Sequence, residues 1–281
     1  MNTSERLRPL LAAATAAFFY WAALNFLVVP VRFLGGEMIA ITITPLLAAS
    51  LSGAFAMAVF ESRSLGDLGL AWRDTSSRNF GIGLMLGIGG ACLAVVPAVV
   101  LGLASFQSVT GNDYSWRSSL FTPLLLLCGA AGEEIAFRGF VLQSLMRAYG
   151  AWASILGVGA LFGLLHATNP SATTLSVMNT AGFGALFGLA LLRSHDLWFP
   201  IGIHFGWNAT LPFFGVQLSG LTIRVTGYKL VWKAGELWSG GNYGPEASLL
   251  ATLVLVVLFV TVFRLRLARG WAFLLDSQSQ E

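Results

Sequence analysis

Read for its apolar and polar positions alone, the chain is a succession of hydrocarbon-like runs broken at short polar or glycine-rich points. The runs approach the ~20 residues that a helix needs to cross a bilayer and exceed the ~10 of a barrel strand, so they predict helices. They cover residues 10–31, 38–60, 80–103, 120–147, 151–166, 174–192 and 197–216, with a last one from 247. Gly35 and Gly36 separate the first two, Pro97 kinks the third, Tyr149 and Gly150 turn the chain after the fourth, and Asn169 and Pro170 end the fifth. The predicted fold class is all-α, a polytopic transmembrane helical bundle of about eight spans.

Between the runs lie three longer connectors. Residues 61–79 mix Arg63, Arg73 and Arg78 with Glu61, Asp67 and Asp74, which suits either an amphipathic piece on the membrane surface or a solvated loop. Residues 107–119 form a polar loop. Residues 221–232 alternate about Thr226 and Gly227 in the manner of a small hairpin.

Composition sharpens this picture. Of 281 residues, 56% are hydrophobic and 10% charged, too little charge for a water-exposed surface, which excludes a soluble domain. The formal charge of +3 does not imply nucleic acid, because Lys and Arg are dispersed between the spans. Ten of the 16 fall on the side of the N-terminus, including Arg6, Arg8, Arg264, Arg266 and Arg269, so both termini are expected in the cytoplasm. The first run is too long for a signal-peptide core and is expected to be retained as a span. Cys92 and Cys128 each lie within an apolar run without a partner spacing, as small reduced packing residues do.

Against this background, residues 129–140 stand out, since Glu133, Glu134 and Arg138 lie inside an apolar span. Insertion scales charge about 2.5–3.5 kcal/mol for an Asp, Lys or Arg at such a depth. Glu134 and Arg138 have the i, i+4 spacing and acid-first order of a helical ion pair. Glu133 is left over, pointing about 100° away from Glu134 toward different surroundings. Glycines recur as Gly83/Gly87, Gly159/Gly163, Gly184/Gly188 and Gly202/Gly206, spacings that let helix backbones approach closely. The hexapeptide GALFGL, at 159–164 and 184–189, is read as repeated packing chemistry, because the position matching His166 is Leu191 in the second copy.

If the fourth and fifth spans form a hairpin turning at Tyr149 and Gly150, Glu133 and His166 sit at matching depth, roughly 24 Å from the turn. His204 and Asn208 share one face of the seventh span at i, i+4. His195 sits in a charged turn and is expected to be solvated. A buried carboxylate, a facing imidazole and fixed hydrogen-bond donors are the functions peptide hydrolysis needs, namely a base for water and a site for the oxyanion. A serine mechanism fits poorly, as there is no G-x-S-x-G and neither Ser154 nor Ser176 has a base beside it.

Three motifs in order, EEIAFRG (Glu133, Glu134, Arg138), FGLLH (Phe162, His166) and HFGWN (His204, Asn208), resemble the E-E-x-x-x-R, F-x-x-x-H and H-x-x-x-N signatures of the CPBP family. These are the CAAX-prenyl-protease and bacteriocin-processing intramembrane proteases, also called the abortive-infection family. The resemblance covers about residues 118–216, and GGNYGPE before the last span also looks like bacterial members. It implies an intramembrane endopeptidase of a bacterial plasma membrane in which Glu133 and His166 activate water and His204 and Asn208 hold the oxyanion. Glu134, Arg138 and Phe162 would support them.

The family has also been described as metalloproteases, so His166, His204 and Glu133 form a rival zinc set, although metal-free water activation with no cofactor is favoured. The partners implied are membrane lipid and a membrane-associated or lipidated peptide, with no nucleic acid and no oligomeric state indicated. Three regions follow, 1–117 with N-terminal spans, 118–216 with the catalytic core, and 217–281 with a loop and last span. A non-catalytic scaffold or bacteriocin self-immunity protein that keeps the polar cluster for packing is the alternative. A transporter would show related halves, and none are found.

Overall fold

The computed structural model describes residues 3–109 and 115–276, so part of the polar loop expected over 107–119 lies outside the described residues. The fold is all-α and polytopic, with helices α1 Thr3–Ala56, α2 Ser76–Val100, α3 Trp116–Ala136, α4 Leu142–Tyr149, α5 Ala151–Leu165, α6 Thr174–Ser194 and α7 Trp198–Phe213. Beyond these come the short α8 Glu236–Ser239, α9 Leu249–Arg264 and α10 Phe273–Asp276. A two-stranded antiparallel ribbon, β1 Ala104–Ser108 and β2 Tyr228–Trp232, completes it.

Helix α1 is two helices meeting at Gly36, whose φ of 79° breaks the helical path. A side chain there would be strained, which suits glycine. The two halves fold back on each other, since the rings of Phe19 and Phe55 are 4.2 Å apart and Arg8 donates to the carbonyl of Phe60. The first two predicted segments are thus this reversal. Among the described residues, five helices are long and apolar enough to cross a membrane, so the count of eight is not reached on that measure. Residues Leu7–Glu61 contain two of the predicted segments, while α7 and α9 have 16 residues each.

Helix α6 is the centre of the bundle. Its Leu186, Phe187, Ala190 and Leu191 are buried between a cluster from α2, α7 and α9 and another from α1, α4 and α5. Close backbone approach follows the glycine pattern. Gly83 and Gly87 of α2 face Gly202 and Gly206 of α7, and a Cβ at Gly202 would lie 2.5 Å from the carbonyl oxygen of Phe80. The two GALFGL copies face each other across α5 and α6, where a Cβ at Gly184 would lie 2.8 Å from the Cα of Gly159.

Two connectors differ from expectation. The hairpin predicted over 221–232 does not form, because β2 pairs with β1, from Ala104 opposite Trp232 to Ser108 opposite Tyr228. Gly227 extends that ladder by accepting from the Val109 N–H, while Leu221 and Ile223 line a cavity in the bundle. Alternation near a Thr-Gly turn specifies a strand but not its partner. Residues 61–79 hold only a short 3₁₀ turn, Leu65–Leu68, outside the flanking helices, with the Ser64–Asp67 capping box. Its middle is packed, for Leu68 is buried and its carbonyl accepts from Gln143 Nε2 at 3.0 Å, while Arg63, Arg73, Asp74 and Arg78 are exposed.

His195 is likewise buried. It caps α6 in the left-handed conformation, φ 52°, and lies 2.9 Å from Asp276 of the C-terminal segment that folds over it. A sequence turn flanked by charges reads as exposed until a distant segment covers it.

Candidate active site

The predicted fourth span is not one helix. Between α3 and α4 the chain makes a π turn, Phe137–Val141, in which Gly139 departs from helical geometry at ψ −123°. Such turns insert an extra residue and change which side chains face inward. Here the turn carries Arg138 into the interior beside Glu134, both with 0% side-chain exposure. Arg138 donates to Glu134 Oε1 at 3.2 Å and to the carbonyl of Gly184 on α6 at 2.9 Å. Its guanidinium sits 4.5 Å from the ring centre of Phe162 and 5.1 Å from that of Phe187, so aromatic faces carry part of the charge.

His204 of α7 joins this pair. Its Nδ1 lies 2.8 Å from the same Glu134 oxygen, and its ring stacks on Phe187 at 4.8 Å. Paired with Arg138, the Glu134 carboxylate is an acceptor, so Nδ1 carries the hydrogen and Nε2 faces away. Nε2 lies 3.8 Å from Oε2 of Glu133, an oxygen that is itself buried and without a hydrogen-bond partner.

His166 stands where α5 passes into a 3₁₀ turn, His166–Thr168. Its Nδ1 meets the carbonyl of Phe162 at 2.8 Å. A carbonyl only accepts, so Nδ1 again carries the hydrogen and the Nε2 lone pair is left for the cavity. The ring lies 4.5 Å from that of Phe162, which thereby touches His166, Arg138 and His204 together.

Glu133, Phe162, His166, His204 and Asn208 line one cavity of about 350 Å³. The side-chain amide of Asn208 is committed to no protein partner among the described residues, leaving its N–H groups for whatever enters. No hydrogen bond or ion pair joins Glu133 to His166, although both face this space; the imidazole nearest Glu133 is His204. Opposed to expectation, Glu133 and Glu134 do not serve wholly separate surroundings, since His204 lies against both.

Several wall residues were not singled out from the sequence. Met38, Ile41 and Thr42 enter the cavity from the second half of α1. Glu246, in the 3₁₀ turn Pro245–Ala247 before α9, is buried and accepts from Trp207 Nε1 at 3.1 Å, from Ser219 Oγ at 2.9 Å and from the Ser219 N–H. Burial raises its pKa above the ordinary carboxylate value, the Ser219 and Trp207 donors pulling the other way. The available signal was an acid within GGNYGPE, next to an apolar helix. Ser154 and Ser176 are spent on backbone bonds, to the Gly150 carbonyl and within the Thr173 cap.

A second cavity of about 450 Å³ adjoins the first and shares Glu133, His166 and Asn169 with it. Its other walls are apolar or aromatic apart from Ser52, among them Ala16, Leu24, Ile135, Phe140, Leu161 and Leu165, with Tyr20 and Trp21 from α1. Among the described residues no three His, Cys, Asp or Glu side chains are grouped closely enough to hold a metal ion.

Residues 115–210 match the family model described as type II CAAX prenyl endopeptidase Rce1-like. No curated protein matches the chain.

Proposed function

We propose, from the match of residues 115–210 to that family model, that the chain is an intramembrane endopeptidase of the CPBP type that hydrolyses a peptide bond of a prenylated, membrane-associated substrate. The observation that carries this reading is the junction of two cavities at Glu133 and His166, one holding the polar cluster among apolar walls and one almost wholly apolar. A lipid-modified peptide has the same two halves. Its isoprenoid chain belongs in the apolar chamber, where each buried CH₂ contributes about 0.8 kcal/mol, and its amide then lies among the polar groups. The excess of Lys and Arg on one side supports cytoplasmic termini.

In this proposal a water lies against Glu133 and the Nε2 lone pair of His166. Glu133 accepts one of its protons as the oxygen adds to the carbonyl carbon. The carbonyl electron pair moves onto its oxygen, which receives hydrogen bonds from the Asn208 amide and from Nε2 of His204 in its protonated form. Collapse reforms the carbonyl, the C–N bond breaks, and Glu133 returns its proton to the leaving nitrogen. Glu134 and Arg138 hold His204 in the orientation this requires. No step passes through a metal.

The test uses full-length protein in detergent and a farnesylated peptide ending in a C-a-a-X sequence, beside the same peptide without its lipid. Cleavage of the farnesylated peptide, lost in Glu133→Gln and His166→Ala and retained under o-phenanthroline, is the expected result. Loss under chelator with recovery on added zinc overturns the glutamate mechanism. Variants that match the parent in every cleavage assay and are merely less stable would sink the enzyme reading and leave the cluster a packing device.

A further inference from the structure

Glu246 is used by none of the steps above and lies outside the segment that matches the family model. Its placement is nevertheless fixed from several directions. Asn179 of α6 donates to the main-chain carbonyls of Glu246 and Ser248 at 2.9 and 3.0 Å, anchoring the turn to the central helix. From that anchor the carboxylate reaches two ways. Oε1 accepts from the indole N–H of Trp207, which lies on α7 between His204 and Asn208. Oε2 accepts from both the N–H and the hydroxyl of Ser219. The carbonyl of Ser219 in turn accepts from Asn169 Nδ2 at 3.2 Å, and the Asn169 N–H donates to the carbonyl of His166 at 3.1 Å. One buried acid therefore ties the helix that presents His204 and Asn208 to the turn that presents His166, and it does so on the wall of the same cavity.

We infer that Glu246 is a positioning residue of the hydrolytic centre, holding His204 and Asn208 through Trp207 and His166 through Ser219 and Asn169 in register with Glu133. Three donors converging on one buried carboxylate exceed what a loop anchor requires, and charge-assisted bonds are the strong ones. Glutamine keeps the size of the side chain but turns one acceptor atom into a donor, so either the Trp207 or the Ser219 contact is lost. Trp207→Phe removes one donor and leaves the carboxylate in place.

The inference rests on the peptidase reading, and two measurements separate their failures. With the farnesylated C-a-a-X peptide, Glu246→Gln is expected to lower kcat roughly 10- to 100-fold with KM nearly unchanged, as loosened support for reacting groups does. Trp207→Phe should lower kcat in the same way, and the loss in the double variant should fall short of the two single losses combined, because both changes act on one carboxylate. The chain has only 3 histidines, so ¹⁵N-histidine spectra report the links without any turnover. Glu246→Gln should move the ring signals of His166 and His204 and leave those of His195 in place. A normal kcat, a rise in KM alone, or unmoved His166 and His204 signals overturns the inference; should Glu246→Gln fail to fold, Trp207→Phe decides it by the kcat and His204 readouts. A parent protein that cleaves nothing defeats the peptidase reading instead, and the histidine spectra then still decide whether Glu246 holds the imidazoles.

Discussion

The crossing of α2 and α7 should be sensitive to a single methyl group. A Cβ placed at Gly87 would lie 2.7 Å from the Trp207 nitrogen, 2.9 Å from the Gly206 Cα and closer still to the Ile203 carbonyl oxygen. All three are α7 backbone atoms, so no side chain can rotate away. Ordinary van der Waals contact begins at 3.4 Å, and reaching it requires the helices to part by about 1 Å. His204 lies between Ile203 and Trp207 and travels with them. Its 2.8 Å bond to Glu134 would then stretch beyond hydrogen-bonding range. Overpacking of this kind costs about 1–3 kcal/mol, and a 1 Å misplacement of a catalytic group about 100-fold in rate. Gly87→Ala should therefore lower the Tm in detergent by several degrees and nearly abolish cleavage of the farnesylated peptide. Gly89→Ala is the internal control, on the same helix with nothing within 4 Å, and alanine there gains up to about 1 kcal/mol in helix propensity. If the two variants have equal Tm and equal activity, close packing at this crossing does not position His204.

Three further outcomes follow from the same geometry. Glu133→Gln should remove about 10²- to 10⁴-fold of the cleavage rate without lowering the Tm, since the Oε2 it alters has no partner to lose. Arg138→Met should destabilise the protein by about 3–5 kcal/mol in thermal unfolding, because it leaves Glu134 buried and uncompensated, and adding Glu134→Gln should recover part of that loss. At His195, burial outweighs Asp276 and holds the folded pKa below the ordinary 6.5, so the unfolded chain takes up its proton first as pH falls. Stability should be fully present above 6.5 and decline as pH falls from there toward the lower folded value, and His195→Gln should flatten that slope in Tm measured across the window.

What the sequence discloses about this molecule depends on whether a signal is local. Hydropathy marks apolar segments because each must exclude charge along its own length, and Gly36 marks a reversal because few other residues adopt its φ. The Gly83/Gly87 and Gly202/Gly206 spacings reveal close approach, though not that these two pairs meet each other. Glu134 and Arg138 are legible as a pair because both lie on one helix, four apart. The partner of β2 is not, since Tyr228–Trp232 joins a strand more than a hundred residues earlier. His195 misleads for the same reason, its cover arriving from the C-terminal segment. Glu133 and His166 were matched by depth in an assumed hairpin; they do share cavities, but a depth match cannot register that His204 comes closer to Glu133. Glu246 carries a charge visible to any reader, and its three donors come from two distant segments.

Three polar groups of the site sit where helices break. Arg138 lies in a π turn, His166 at the passage from α to 3₁₀, and Glu246 in a 3₁₀ turn before α9. Broken helix at membrane depth is tolerated only where protein buries it or a cavity is lined by it, because freed backbone groups need partners. The partners here are side chains. The Phe162 carbonyl takes His166 Nδ1, the Arg138 carbonyl takes Gln143 Nε2 at 3.1 Å, and the Glu246 carbonyl takes Asn179 Nδ2 at 2.9 Å. Each break thus supplies the acceptor that orients a polar group, and each polar group satisfies a break that hydrocarbon would punish. Hydropathy cannot report this arrangement, since a π turn and an α-helix of the same sequence have the same apolar content. The placement of the polar cluster and the irregularity of its helices are accordingly one structural fact, and straightening any of these turns should disperse the site before it unfolds the bundle.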